Sequence, residues 1–310
     1  MNGLNQATAQ RITHRIHSRL FRVLGPVFFT LCLLLLFGCV GTTAESAFSS
    51  IEISSQFLQQ TVQLPVLMYH HLIPEDSSES ETPVSCFRDQ MRALSEAGYH
   101  PVSFDEILRW VEDGGTLPSK PIAITFDDGY ASNYELAYPV LREFGFQATI
   151  FVIGVSVGKD TYKNTGRAIT PHFSLEQGRE MEASGLISIQ SHGYNLHEKS
   201  GLDPDPIRKG ILRREGESEA DYLAFLHGDC ANMKALLGKT PEVLSYPRGK
   251  YNDMADAVLR EEGIRITLTT KAHMNTLTRG DSQCLWRLGR FSCSGNMTGE
   301  ELLKMLASNE

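Results

Sequence analysis

Two adjacent carboxylates, Asp127 and Asp128, end a continuous apolar run at residues 121–126 of this 310-residue chain. A buried strand does not normally end on two acids, because an unpaired carboxylate removed from water costs several kcal/mol. Successive strand residues point to opposite faces, so both acids can serve one site only where the strand stops. Gly129 follows them and gives the backbone the freedom to turn. We therefore predict a functional site at the carboxyl end of this strand.

Two histidines, His192 and His197, follow a second short apolar run at residues 185–189. On a helix, residues five apart would lie roughly 140° apart, so these imidazoles cannot share one face as the histidines of a helical zinc site do. Gly193 allows a turn that brings them together instead. One carboxylate with two neutral imidazoles suits a divalent metal that keeps positions open for water or substrate.

The residues Thr-Phe-Asp-Asp-Gly at 125–129 and the two later histidines resemble the first two motifs of the polysaccharide deacetylase family, the NodB homology domain or carbohydrate esterase family 4. The opening Pro-Val-Leu-Met-Tyr-His at 65–70 resembles the opening motif of the family branch that removes acetyl groups from poly-N-acetylglucosamine. The two motifs in this order, each ending a predicted strand, are far more specific than either alone. The resemblance covers roughly residues 64 to 308.

The resemblance implies roles for the acids and the histidines. Asp128, His192 and His197 would hold one divalent metal ion, and Asp127 would be the general base. Neutral imidazole and carboxylate suit Zn, Fe, Co or Ni, so the sequence does not choose among these metals.

A general acid is also needed, because an amide nitrogen leaves poorly as an anion. Many family members take a histidine from a late Leu-x-His-like motif, but the corresponding residues 285–290 contain no histidine. In the exopolysaccharide branch this role belongs to the histidine of the opening Tyr-His pair, which is His70 here. We expect His70 to be the acid, with His71 as a weaker candidate and His273 as a reserve.

The third family motif, Arg-x-x-Pro-Tyr in many members, is altered in this chain. The arginine before the proline is missing, and Arg248 stands where the aromatic residue usually does. The resemblance implies a substrate or oxyanion role for Tyr246, Pro247 and Arg248, in which a backbone N–H would help to hold the oxyanion. Because the family's arginine pairs with the base, its loss leaves open whether Arg248 compensates at Asp127.

The composition is that of a globular protein, with 41% hydrophobic and 21% charged residues. A net charge of −8 and a pI near 5.7 argue against a nucleic-acid partner, whose binding depends on Lys and Arg neutralising phosphates. Cys284 and Cys293 would pair only in an oxidising compartment; unpaired cysteines are favoured, because four dispersed cysteines do not make a disulfide framework in a domain of this size.

Residues 1–40 have the layout of an export signal, with four arginines and no acid before an apolar run. Residues 36–39 resemble a lipobox, which predicts a lipid-modified Cys39. The alternatives are an uncleaved membrane anchor and simple secretion, since about 18 apolar residues just span a bilayer. Residues 41–60 are Ser-rich and predict a linker before a catalytic domain at 61–310. We expect a cell-envelope or secreted protein with exopolysaccharide synthesis or export partners.

Strands and helices alternate along the domain, which predicts parallel strands with crossover helices. Strands are predicted at 64–69, 121–126, 147–153, 186–190, 243–246 and 264–269, and helices at 87–98, 104–111, 134–144, 175–183, 220–237 and 254–261. The pattern alone does not separate an open sheet from a closed barrel. The resemblance implies a distorted α/β barrel, a (β/α) fold of seven strands with its active site at their carboxyl ends.

Two long polar stretches, residues 156–174 and 198–219, are candidates for the walls of a substrate groove. The expected reaction is metal-dependent hydrolysis of N-acetyl groups on an extracellular polysaccharide, most simply poly-N-acetylglucosamine. The same residues could instead remove O-acetyl groups from an ester, or N-acetyl groups from chitin or peptidoglycan. A carbohydrate-binding domain without turnover is the alternative from another class.

Overall fold

The computed structural model describes residues 60–74 and 81–309. The predicted export signal at 1–40, its Cys39 and all but the last residue of the predicted linker lie outside the described residues. Within the part of the chain that is described, no helix combines the length and the apolar composition needed to cross a membrane.

Seven parallel strands form one curled sheet, a half-barrel. The strands of the chain are β1 (Thr61–Leu64), β2 (Val66–Tyr69), β3 (Leu72–Ile73), β4 (Thr82–Pro83), β5 (His100–Pro101), β6 (Pro121–Phe126), β7 (Ala148–Val152), β8 (Ile187–Ser191), β9 (Val243–Ser245), β10 (Ile266–Leu268), β11 (Asn275–Thr278) and β12 (Phe291–Ser292). The order across the sheet is β10-β9-β8-β7-β6-β2-β12, and β5 pairs with the start of β6. β1 and β11 form a separate antiparallel pair.

Six of the seven α-helices in the described part of the chain lie between these strands in sequence, as expected for crossover connections, and the seventh follows the last strand. The seven are α1 (Val84–Glu96), α2 (Phe104–Glu112), α3 (Tyr138–Phe144), α4 (Leu175–Ala183), α5 (Glu219–Leu237), α6 (Asp253–Glu261) and α7 (Gly299–Ala307). One turn of π-helix, Asn133–Ala137, leads into α3. Serine or threonine caps with a matching Glu or Gln three residues into the helix start α2, α4 and α7.

The central strands are apolar because the sheet is covered on both sides. Every residue of β6 and of β7 is buried. Continuous apolar runs are typical of parallel strands that pack on both faces. These two strands therefore hold the acids that follow β6 on a rigid part of the fold.

The segment 288–292 connects the two edges of the sheet. At its start, Leu288 bridges to Leu268 of β10; at its end, Phe291 pairs with Leu67 of β2. Arg290 lies between these two pairings and has no exposed surface. The chain thus places a buried arginine in the gap between the first and last strands of the curl.

The predicted alternation and the seven-stranded parallel fold are confirmed. The antiparallel pair β1–β11, the short β12 and α7 were not predicted. β12 has only two residues, too few to show a strand period. The start of α7 could have been predicted, because Thr298 and Glu301 have the spacing of a capping box. Cys284 and Cys293 are both free in the structure.

Candidate active site

The two acids follow β6 at the point where its ladder ends. The N–H of Asp127 donates to the Tyr69 carbonyl (2.9 Å), the last pairing with β2. Asp128 then takes a φ of 74° and Gly129 one of 79°, so the chain turns at once. A Cβ on Gly129 would lie 2.8 Å from Val152, so only glycine fits there. The turn lets both carboxylates face one site, as the sequence predicted.

Asp127 is held by the buried Arg290. Two guanidinium nitrogens donate to the two carboxylate oxygens at 2.8 and 2.7 Å. Ser245 at the end of β9 donates to the same carboxylate (3.1 Å), and Arg290 also donates to the Thr269 carbonyl (2.8 Å). Two parallel N–H···O bonds fix the plane of the carboxylate as well as its charge.

The pKa of Asp127 lies well below its usual range. Burial alone would raise this pKa, but the charge of Arg290 opposes it, with His192, the Arg290 hydrogen bonds and His70 acting in the same direction. Asp127 is therefore ionised throughout the neutral range, as a proton acceptor must be.

The two histidines are brought together by the turn after β8. The Nδ1–H of His192 donates to the Ser245 carbonyl (2.8 Å), which accepts only, so the tautomer with the lone pair on Nε2 is the one that this bond selects for a neutral ring. That Nε2 lies 3.4 Å from Oδ1 of Asp128, and Nε2 of His197 lies 3.9 Å from the same oxygen. The two imidazole centroids are 4.8 Å apart.

The donor set of Asp128, His192 and His197 fits a divalent metal. One ligand atom from each residue lies within 4.8 Å of the others. Oδ1 of Asp128 and Nε2 of His197 are buried and have no hydrogen-bond partner, which is costly unless another group binds them. Burial, followed by the charge of His192, lowers the pKa of His197 to about 4, so its imidazole is neutral at pH 7 and available as a ligand.

Tyr130 supports this group and was not singled out from the sequence. Its hydroxyl donates to Oδ2 of Asp128 (2.9 Å), which leaves Oδ1 directed at the histidines. Its ring packs against the imidazoles of His71 and His172. Its position two residues after Asp128 was the only signal in the sequence.

His70, the predicted general acid, lies beside Asp127. Its Nε2 lies 4.0 Å from Oδ2 of Asp127, and its side chain is 37% exposed, so a substrate can approach it. His71 is turned toward Ser132, whose hydroxyl lies 2.8 Å from its Nδ1. His273 is exposed and packs beside Gly289. Among the described residues, the imidazoles within 4.0 Å of Asp127 or Asp128 are those of His70, His192 and His197.

The altered third motif contributes less through its side chains than the sequence suggested. Tyr246 is buried, and its hydroxyl donates to Asp256, away from the acids. Pro247 is buried at the start of a short 3₁₀ turn in which Arg248 has a φ of 59°. The Arg248 guanidinium donates to the Glu198 carbonyl (3.0 Å). The cation that replaces the missing family arginine at Asp127 is therefore Arg290, and Arg248 does not pair with this base.

Arg290 could have been suspected from the sequence. It lies two residues after Leu288, in the region searched for a histidine. Residues two apart in an extended segment share a face, so an arginine beside a buried leucine predicts a buried charge that needs a partner. Only the fold shows that this partner is Asp127, 163 residues earlier.

Two neighbouring cavities are lined by residues of the site. One, of about 360 Å³, is lined by Asp128, His197 and residues of the 156–174 loop, including Tyr162 and His172. The other, of about 540 Å³, includes His70, His71 and Glu81. Tyr130 and Thr170 line both. The 156–174 loop thus forms a wall of the site, whereas from residues 198–219 only Lys199 lines the first cavity.

Comparison with known families agrees with the site. Residues 114–267 match the family described as polysaccharide deacetylase. The chain contains a polysaccharide deacetylase domain. The resemblance drawn from the motifs is thereby confirmed, and the deacetylase family is one of hydrolytic enzymes.

Individual proteins similar to this chain also carry the names of polysaccharide deacetylases. YxkH of Bacillus subtilis, which carries the provisional name of a polysaccharide deacetylase, is 29% identical over 241 residues, covering 78% of this chain and 75% of that protein. The poly-β-1,6-N-acetyl-D-glucosamine N-deacetylase of Escherichia coli is 28% identical over 215 residues, which is 64% of this chain. The chain matches only 32% of the length of that enzyme.

The structure of IcaB from Ammonifex degensii superimposes on the deacetylase domain with a TM-score of 0.64 and 27% identity. The superposition covers 78% of this chain and 96% of IcaB. The fold is therefore shared with a solved structure over nearly the whole length of IcaB.

Proposed function

We propose that this protein is a metal-dependent de-N-acetylase that removes acetyl groups from an extracellular poly-N-acetylglucosamine. The observation that carries the proposal is the arrangement of an ionised, arginine-held Asp127 beside the unpartnered ligand atoms of Asp128 and His197. A base and a metal site that share one strand end are what hydrolysis of an amide by water requires.

Asp128, His192 and His197 are the residues that would hold the metal. A divalent cation bound there would polarise the acetamide carbonyl and make water more acidic. The Tyr130 hydroxyl and the Ser245 carbonyl keep Asp128 and His192 in the orientation that this ligand set needs.

Asp127 is proposed to accept the proton of the attacking water. Arg290 and Ser245 leave the carboxylate ionised and fixed in one plane, so it is positioned before substrate binds. A carboxylate with a depressed pKa is a weak base, and it can act only on water whose own pKa has been lowered.

His70 is proposed to give its proton to the departing amine. The Nε2 atoms of His70 and His192 both lie 4.0 Å from Oδ2 of Asp127, but of the two only His192 approaches Asp128 within this distance, which leaves His70 outside the proposed ligand set. The backbone N–H of Arg248, next to Pro247, is proposed as an oxyanion donor, a role that does not need a particular side chain.

The substrate is proposed from the relatives and from the shape of the site. The Escherichia coli relative is named for poly-β-1,6-N-acetyl-D-glucosamine. Two neighbouring cavities, one lined by Asp128 and the other by His70, suit a polymer that continues past the reacting sugar. Products would be acetate and an amino sugar, so a neutral polymer would become partly cationic. O-acetyl esters and other N-acetylated glycans remain the competing substrates of the same residues.

The missing third-motif arginine was the reason for considering a binding domain without turnover. Arg290 supplies the same charge to Asp127, which favours the catalytic alternative. We propose residues 61–310 as the catalytic domain, carried outside the cytoplasm by the signal in residues 1–40 and attached to the membrane through Cys39 or an anchor. Proteins of exopolysaccharide synthesis or export are its proposed partners.

Metal removal should abolish the reaction. We expect acetate release from acetylated β-1,6-glucosamine oligomers to fall below detection after chelation and to return when Zn, Co, Ni or Fe is added, because the three candidate ligands in the described part of the chain would leave positions on the metal open for water and substrate. Acetylated xylan and chitin oligomers are the substrate controls. Undiminished release from fully chelated protein would contradict the metal dependence, and release from the esters alone would contradict the substrate.

Replacement of the proposed acid should separate His70 from His71. We expect His70→Gln to lower kcat by about 10²–10⁴-fold, the usual contribution of a general acid, and His71→Gln to lower it less than about 10-fold. Rates are compared on the amide and on an activated ester of the same sugar, whose leaving group needs no proton. An equal loss on both substrates would show that His70 is not the acid.

A further inference from the structure

The distance between the two histidine ligands depends on a four-residue turn, residues 193–196, which begins after His192 and ends before His197. Gly193 takes a φ of 78°, and a Cβ there would lie 2.4 Å from Leu196. The turn is therefore tightly folded, and any change in its backbone would move one histidine relative to the other.

One side of this turn is held by the segment that follows β7. Gly154 donates its N–H to the Gly193 carbonyl (3.1 Å), and Val155 donates to the Tyr194 carbonyl (2.9 Å). A Cβ on Gly154 would lie 2.3 Å from the Tyr194 ring, so the two backbones approach closely because residue 154 is glycine.

The other side is held by Asp229, which lies near the middle of α5. Its Oδ2 accepts from the N–H of Tyr194 and its Oδ1 from the N–H of Asn195, both at 2.7 Å. Asp229 is only 7% exposed. A carboxylate is costly to bury, so its two hydrogen bonds to consecutive N–H groups of the turn are its evident use.

We propose that Asp229 is a positioning residue for the metal site, which sets the spacing of His192 and His197 by fixing the turn between them. The proposal rests on the proposed function, because it concerns the same metal ligands. Asp229 touches neither the metal ligands nor the reacting groups, and acts through the backbone of Tyr194 and Asn195. Residues that orient metal ligands in this way typically change metal affinity by about 10–100-fold.

The test uses Asp229→Asn, which keeps the size of the side chain but replaces one acceptor oxygen by an N–H donor facing a backbone N–H. Asp256→Asn is the matched control. Asp256 is also a buried helical carboxylate, 3% exposed, but its partners are Tyr246 and Arg287. Both variants lose one buried acceptor, and only one of them loses it at the turn.

The full chain is stripped of metal and titrated with Co²⁺, following heat and the visible absorption of the bound ion. We expect Asp229→Asn to bind Co²⁺ about 10–100-fold more weakly and with an altered visible spectrum, while Asp256→Asn keeps both the affinity and the spectrum of the unchanged protein. At saturating Co²⁺, we expect kcat of Asp229→Asn to recover toward the unchanged protein, with KM for the oligomer the same.

Unchanged affinity and spectrum in Asp229→Asn would overturn the inference while leaving the metal site intact. Equal losses in both variants, tracking a lower free energy of unfolding of the metal-free protein, would also overturn it, because they would reflect stability alone. Failure of the unchanged protein to bind Co²⁺ would overturn the proposed metal site and this inference with it. Asp229→Ser, which retains one hydroxyl acceptor, is the second variant if the asparagine variant does not fold.

Discussion

Arg290→Met is expected to lower kcat/KM by about 100-fold and to move the acidic limb of its pH profile to higher pH. In the unchanged protein, burial raises the pKa of Asp127, but Arg290 and the nearby histidines lower it further than burial raises it. Without the guanidinium, the burial effect is less opposed, so the base becomes protonated at a higher pH. Loss of the two bonds that orient the carboxylate accounts for the fall in rate at the plateau.

The same substitution should destabilise the fold by about 3–5 kcal/mol, because it leaves a buried carboxylate without its cation. Since the folded pKa of Asp127 is depressed, its stabilising contribution is present above the unfolded carboxyl pKa and is lost as the pH falls through the folded value. Urea unfolding at several pH values checks this. For Arg290→Met we expect a smaller loss of stability on acidification than for the unchanged protein.

Arg287→Met is the control for removing a nearby arginine. Arg287 bonds to Asp253 and Asp256 and makes no contact with Asp127 among its described ion pairs. For Arg287→Met, we expect the acidic limb of the pH profile to lie at the same pH as in the unchanged protein. A shift of the limb in both variants, or in neither, would show that Arg290 does not tune the base.

Asp127→Asn is expected to lower kcat by about 10²–10⁴-fold while leaving Co²⁺ affinity within about threefold of the unchanged protein. An amide cannot accept the proton of the attacking water, but the ligand atoms of Asp128, His192 and His197 are not altered. The comparison is Asp128→Asn, which removes a proposed ligand from the same strand end and should weaken Co²⁺ binding by at least about 10-fold.

The pair of variants separates the two adjacent acids. Calorimetric titration measures the metal, and acetate release at saturating Co²⁺ measures the turnover. Weaker metal binding in Asp127→Asn, with full metal affinity in Asp128→Asn, would reverse the roles assigned to the two carboxylates. Retained turnover in Asp127→Asn would remove it from the mechanism.

Much of the site was predictable because its residues end strands that the sequence marks clearly. The apolar run before Asp127 and the alternation of strands and helices around it depend on local burial patterns, which are visible in one dimension. The carboxyl ends of parallel strands meet at one edge, so the acids, His70 and the two later histidines were expected to converge. The turn at Gly193 was inferred in the same way, from a residue that permits it.

The partners of these residues were not predictable, because they are joined by contacts between distant parts of the chain. Arg290 reaches Asp127 only because the segment 288–292 bridges the edges of the curl, a closure that leaves no periodic signal in five residues. In the sequence, nothing distinguishes Asp229 from the other polar residues of α5. Its contact with the turn exists only because the helix packs beside that turn in the fold. Tyr246 is the opposite case, a residue that the sequence placed in the site but whose side chain points elsewhere. Its motif suggested a role in the site, but its hydroxyl donates to the buried Asp256.

The central parallel strands, the crossover helices and the polar groups that end these strands could be predicted from the sequence, because strand periodicity and turn residues act over a few positions. Which cation neutralises Asp127, and which helix holds the turn between the two histidines, could be read only from the folded chain. Those choices depend on packing and buried charge pairing across more than 100 residues for Arg290 and Asp127, and no local pattern specifies a partner at that separation.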